Sequence, residues 1–240
     1  MKAVIFAAGL GTRLKPLTND KPKALVKVGN KTLLELAIRF LQKQGINEFV
    51  INIHHFGQLV LDYLEANNNF GSTIHISDER DQLLNTGGGL VAMEKWLKEE
   101  PFIIYNVDIL SKINLSQMIN VHKKSESLVT LAVSDRVSSR YFLFDNSQKL
   151  CGWKNIKTGE VKLVLSKTEQ FQDLAFSGIH IISPDIFNYK PDDKVFSIVD
   201  WYLELAKDHR LSGFNHSGTF WLDVGKIPTL EEAKKYIGDF

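Results

Sequence analysis

Gly9 and Gly11 are followed at once by Thr12 and Arg13, and ten residues beyond Arg13 stands Lys23, in Lys21-Pro22-Lys23. This set can hold a triphosphate. Small residues let the backbone approach phosphate oxygens, amide N–H groups point at them, and two fixed cations neutralise the charge. Two better-known glycine loops do not fit. A dinucleotide fingerprint needs glycine or alanine three positions after the second glycine, where this chain has Leu14. A P-loop needs glycine, lysine and serine or threonine together, and Leu14 stands where that glycine belongs.

The elements that position the loop are legible from the apolar pattern. Residues 2–8 read as a buried strand leading into it. Thr32 and Glu35 form a capping box ahead of Leu34, Ala37, Ile38 and Leu41, with Gly45 placed to end that helix. Strands are expected at 48–54, 73–77 and 102–105, with helices at 58–65 and 90–97 between them. Such alternation predicts an α/β fold: a doubly wound, mostly parallel mixed sheet with helices on both faces. Later strands are expected at 128–133, 141–144, 149–153, 161–165, 174–182 and 219–224, and helices at 196–207 and 229–236. No linker, repeat or low-complexity stretch interrupts the sequence, so residues 1–240 read as one domain.

In open α/β sheets, ligands bind beyond the carboxyl ends of the strands. The Gly9 loop, Thr86-Gly87-Gly88 and Asp108 all fall at such ends. Asp108 closes an apolar strand and is suited to Mg²⁺, which takes oxygen ligands and usually only one or two protein carboxylates. Asp223 is the best candidate for a second carboxylate. It ends Phe220-Trp221-Leu222, and an unpaired buried carboxylate would cost several kcal/mol. Spacing alone does not bring it to Asp108.

At these residues the chain resembles the sugar-1-phosphate nucleotidyltransferases. Gly9, Gly11, Thr12, Arg13, Pro22 and Lys23 match that family's signature. Within it, the chain is most similar to the N-acetylmuramate-1-phosphate uridylyltransferases of cell-wall recycling and to the mannose-1-phosphate guanylyltransferases. The resemblance implies Mg²⁺-dependent attack of a sugar-1-phosphate on a nucleoside triphosphate, UTP first and GTP next. Arg13 and Lys23 become the catalytic cations, and Asp108 and Asp223 the metal ligands. Ala7, Ala8, Thr86, Gly87, Gly88 and Asn106 become nucleotide-binding residues along with the loop. Ser177 and Gly178 fall on the sugar-side strand, and Lys154 stands where longer relatives place a sugar-phosphate lysine. The family's glutamate before that lysine is replaced here by Trp153. Uridylyltransferases tend to carry Gly-Asp-Phe where this chain has Arg140-Tyr141-Phe142. Arg140 reads either as a contact for an anionic group or as a surface residue. His54-His55 reads as a polar loop pair, with a metal or proton-transfer role as the alternative.

Composition excludes several other classes. Hydrophobic residues make up 44% of the chain, which supports a packed core. Lysine and arginine total 29 against 28 acids, a net charge of +1, so no global field attracts nucleic acid or an anionic membrane. The single cysteine, Cys151, leaves no disulfide framework. No apolar run approaches the roughly 18 residues of a spanning helix. The expectation is a cytoplasmic monomer or homodimer. A catalytically silent nucleotide-sugar sensor on the same fold is the competing reading. A nicotinamide-dependent oxidoreductase fails at Leu14.

Overall fold

The computed structural model describes residues 1–164 and 170–239. Strand β1 (Ala3–Phe6) gives way to single turns of 3₁₀ helix at Thr12–Leu14 and Lys23–Leu25. A small hairpin follows, β2 (Lys27–Val28) with β3 (Lys31–Thr32), and then α1 (Leu33–Lys43). Next come β4 (Glu48–Ile53), α2 (Gly57–Ala66), β5 (Thr73–Asp78), α3 (Asn85–Ala92), α4 (Glu94–Leu97) and β6 (Phe102–Asn106). The second half holds β7 (Ile109–Ser111), α5 (Leu115–Ser125), β8 (Val129–Ser134), β9 (Arg140–Phe144), β10 (Leu150–Asn155), β11 (Glu160–Leu163) and β12 (Gln172–Ile182). It closes with α6 (Ile198–Leu205), β13 (Leu211–Asn215), β14 (Trp221–Asp223) and α7 (Ile227–Ala233).

The main sheet runs β11-β10-β9-β12-β6-β1-β4-β5, with β8 also on β12 and β13 on β8. β1 lies parallel between β4 and β6, and β5 extends the parallel part. The chain leaves β1 toward β5, then returns to the other side of β1 with β6. That reversal opens a crevice at the carboxyl ends of β1 and β6. Both faces are covered. Ala3 and Ile5 pack in one apolar cluster with α1, α2, α5 and α7, while Val4 and Val50 pack in another with α3, α4 and α6.

The α/β class and the mixed sheet agree with the sequence reading, but "mostly parallel" overstates one half. β9, β10, β11 and β12 join one another antiparallel, as β12 does to β6 and β8. Short turns rather than helical crossovers connect the β9–β11 strands, and a short turn can only reverse direction.

The threonine half of the capping box forms: the Thr32 hydroxyl accepts from the Glu35 amide at 3.0 Å, while Glu35 Oε2 accepts from the Tyr63 hydroxyl at 3.2 Å. Five labelled elements were missed: α5, β7, β13 and the two-residue hairpin strands β2 and β3. Helix α5 buries only Leu115, Met118 and His122, too few for a clear helical period, although Asn114 caps it by accepting from the Gln117 amide. β7 has only three residues, and β13 is buried at four consecutive positions of its five, so neither shows alternation. The helix expected at 90–97 starts earlier, at Asn85, and is broken at Met93. Residue 165 of the strand expected at 161–165 lies outside the described residues.

Candidate active site

The loop after β1 is held from beneath by a buried side chain. Asn52 sits opposite Phe6 on β4, and its Oδ1 accepts from the Ala7 amide at 2.7 Å and the Ala8 amide at 3.3 Å. Its Nδ2 donates to Glu79 Oε1 at 2.8 Å, and Glu79 Oε2 accepts from the Leu84 amide at 3.1 Å. Ala7 and Ala8 therefore lie in the crevice wall, but their amides are committed to Asn52 and do not read a base edge. Gly11 takes φ +63°, a conformation that favours glycine. A Cβ there would stand 2.9 Å from the Thr18 methyl, whose hydroxyl donates to the Gly11 carbonyl at 2.9 Å. At Gly9 a Cβ would meet nothing within 4 Å. Packing does not demand glycine at position 9.

Asn52 escaped the sequence reading, although one signal was present. Asn52 is a lone polar residue inside Phe49-Val50-Ile51-Asn52-Ile53, and buried polar groups need partners. Asn52→Ala leaves the buried Ala7 amide unpaired. It is expected to lower stability by about 1–3 kcal/mol and to reduce turnover by loosening the loop. Thermal unfolding and steady-state rates of the variant check this, and wild-type values in both would refute it.

The four charged candidates meet. Lys23 Nζ is hydrogen-bonded to Asp108 Oδ2. Arg13 reaches both acids, with Nη2 4.0 Å from Asp108 and Nη1 3.9 Å from Asp223. The β7–β14 ribbon makes this possible. Asp223 pairs across from Ile109, and the Val224 amide donates to the Asp108 carbonyl at 2.9 Å. Gly225 fills the centre. A Cβ there would lie 2.7 Å from Arg13 Nη2, 2.7 Å from Asp223 Oδ1 and 2.8 Å from Asp108 Oδ2. Both carboxylates thus border one small volume. Two carboxylates beside a polyphosphate loop are a donor set that suits Mg²⁺, with phosphate and water completing its shell. Among the described residues, no group of three or more His, Cys, Asp or Glu side chains is gathered to hold a metal without such help.

Other candidates are placed differently. Thr86 lies near the start of α3, where its hydroxyl accepts from the Ile198 amide at 3.0 Å and so caps α6. Gly87 and Gly88 are buried against a neighbouring segment: a Cβ would stand 2.3 Å from the Phe196 ring at Gly87 and 2.0 Å from the Lys194 carbonyl at Gly88. Their side-chain-free faces are taken up by this packing, and Gly88 also borders a neighbouring cavity. Asn106 ends β6 beside Gly178, which has φ +73° and leaves room for the Asn106 amide. Ser177 lies fully buried, its hydroxyl 2.7 Å from His216 Nε2, so it is no sugar ligand here. The Trp221 indole N–H donates to the Ser177 carbonyl at 2.8 Å, tying β14 to β12. His54 Nδ1 lies 2.6 Å from the Glu79 carbonyl, which makes it part of the loop support, and His55 packs on Phe56.

Beside the charged cluster opens a cavity of about 660 Å³. Arg13 and Asp223 reach it from the cluster, and Trp153, Phe142 and Phe176 give it an aromatic wall. Lys154 is not among its described lining residues. Strand alternation turns it from Trp153 to the other face of β10, where it pairs with Asp173. Lys157, in the following turn, lines the cavity instead, as do Arg140 and Lys226.

A phosphate-type loop, two acids and a sugar-sized cavity at one sheet edge match a known group of proteins. The nucleotidyl transferase profile fits residues 2–239. The chain belongs to that family. This nucleotidyl transferase is 33% identical over 231 residues to the N-acetylmuramate alpha-1-phosphate uridylyltransferase of Caulobacter vibrioides, covering 93% of this chain and 91% of the relative. It is 29% identical to the protein of the same name from Neisseria meningitidis, covering 99% of each. Among solved structures, a putative glucose-1-phosphate thymidylyltransferase from Bacillus anthracis superposes with a TM-score of 0.82 at 18% identity, over 100% of this chain and 96% of that one. That likeness carries the fold. The sequence relatives carry the class: the chain is a sugar-1-phosphate nucleotidyltransferase. No helix among the described residues is long and apolar enough to cross a membrane.

Proposed function

We propose that this transferase uses UTP, with GTP as the next choice, and that Asp108 and Asp223 hold the Mg²⁺ it requires. The observation that carries the metal assignment is the cluster around Gly225, where both carboxylates and Arg13 border one small volume. Two acids and two bases hold one another there. Binding would exchange these pairings, with the bases turning to phosphate and the acids to the cation. The preference for UTP rests on the Caulobacter and Neisseria relatives.

In the reaction, a sugar phosphate oxygen attacks the α-phosphorus in line and pyrophosphate leaves. Such chemistry asks the protein for positioning and for neutralisation of charge. Arg13 and Lys23 would grip the triphosphate and steady the departing pyrophosphate. The loop at Gly9 would admit the phosphates against bare backbone, and the cavity walled by Trp153 and Phe176 would hold the sugar. Bound Mg²⁺ supplies Lewis-acid neutralisation of the phosphate oxygens. A catalytically silent sensor would be expected to have lost one of the four charged groups. All four are present and assembled.

The test is a matrix of four nucleoside triphosphates against N-acetylmuramate-, N-acetylglucosamine-, mannose- and glucose-1-phosphate, with and without Mg²⁺, read by pyrophosphate release. Highest turnover with UTP, abolished by chelation, is the expected result. Preference for another base would overturn the UTP assignment, and full activity in chelator would overturn the metal site.

A further inference from the structure

The sugar cavity carries more positive charge than a sugar-1-phosphate needs. Arg13 and Lys226 reach it from the phosphate loop and the segment after β14, beside Asp223. Arg140 and Lys157 reach it from a different wall, the paired ends of β9 and β10. Arg140 lies opposite Asn155, whose side chain accepts from the Lys157 amide at 3.0 Å, so the two basic residues share one rim. Asp223 is the only acid among the described lining residues. The nearby acids are engaged elsewhere: Asp200 with Lys162 at 2.8 Å, Glu160 with Lys162 at 3.6 Å, and Asp173 with Lys154. Among the described residues, neither Arg140 nor Lys157 has an ion-pair partner. The same cavity is lined by Trp153, Phe142 and Phe176, suited to the C–H face of a sugar ring.

One phosphate accounts for the bases beside Asp223 and leaves Arg140 and Lys157 on their own rim unmatched. We infer that the acceptor sugar carries a second anionic group, a carboxylate or a further phosphate, and that Arg140 and Lys157 select for it. This rests on the transferase reading above. Arginine suits the task because its planar fork binds either anion through two hydrogen bonds.

Two matched acceptor pairs test it. N-acetylmuramate 1-phosphate differs from N-acetylglucosamine 1-phosphate by a carboxylate-bearing ether, and glucose 1,6-bisphosphate differs from glucose 1-phosphate by one phosphate. In the wild type, kcat/KM is expected to favour the more anionic member of at least one pair by roughly 10-fold or more, as one charge-assisted hydrogen bond warrants. Which pair shows it identifies the group. In R140Q/K157Q that ratio should fall toward one, mainly through a higher KM for the anionic acceptor. R140Q and K157Q alone, with melting curves, separate this from misfolding. Equal use of both members of both pairs would overturn the inference, and so would a double variant that slows both members equally. Turnover with only the less anionic member of each pair would leave the transferase reading intact while refuting this one. No product with any acceptor would refute both.

Discussion

Arg13→Ala and Asp108→Ala are each expected to lower kcat/KM by about 10²–10³, the usual cost of removing one group that stabilises charge developing in the transition state. Among the described residues, Arg13 is the only side chain that reaches both acids, at 4.0 and 3.9 Å, and it also lines the adjoining cavity. In the proposed mechanism its loss removes a cation from the place where triphosphate and sugar phosphate would meet. Asp108 is largely enclosed and holds Lys23. Without its carboxylate, one proposed metal oxygen disappears and Lys23 loses its anchor. Asp108→Asn keeps the shape and removes the charge, so it should lose nearly as much activity as Asp108→Ala. Steady-state kinetics over a Mg²⁺ series would show the Asp108 variants needing more metal and Arg13→Ala needing more triphosphate. Near-normal turnover in either alanine variant would remove that residue from the mechanism.

Gly225→Ala should be nearly as damaging to activity while leaving the fold intact. The added methyl would meet Arg13 Nη2, Asp223 Oδ1 and Asp108 Oδ2, all within 2.8 Å. Each contact is with the far end of a flexible side chain, so these groups can swing away with little strain on the backbone. The cost falls on geometry: a displacement of about 1 Å can lower a rate some 10²-fold when positioning supplies the catalysis. A melting temperature close to wild type together with a kcat loss of that order is the expected pair of results. Wild-type kcat would show that the cluster does not have to keep this arrangement. A large drop in melting temperature would show that Gly225 serves the fold instead.

The parts of the site that the chain announces are those built from near neighbours. The left-handed turn at Gly11, the hydroxyl of Thr18 folding back onto it, and the short run from Arg13 to Lys23 lie within one stretch of sequence. Thr86, Gly87 and Gly88 show the opposite. Their motif is visible, but their contacts are with Phe196, Lys194 and Ile198, and nothing local reveals that α6 and the segment before it press on them. Lys154 was misplaced for a simpler reason. Strand alternation puts neighbours on opposite faces, and its side chain falls on the face away from the cavity.

By itself the sequence determined the phosphate-type loop, its two cations and the sheet edge that carries them, because backbone conformation and charge act over a few residues. Only the tertiary structure decided that Asp223 joins Asp108. The link is a ribbon of three-residue strands, β7 and β14, too short to leave a pattern in the sequence and held by pairing that exists only once the chain has folded. It likewise decided that Asn52 carries the loop and that Lys157, not Lys154, faces the cavity, since burial and strand facing are properties of the packed sheet.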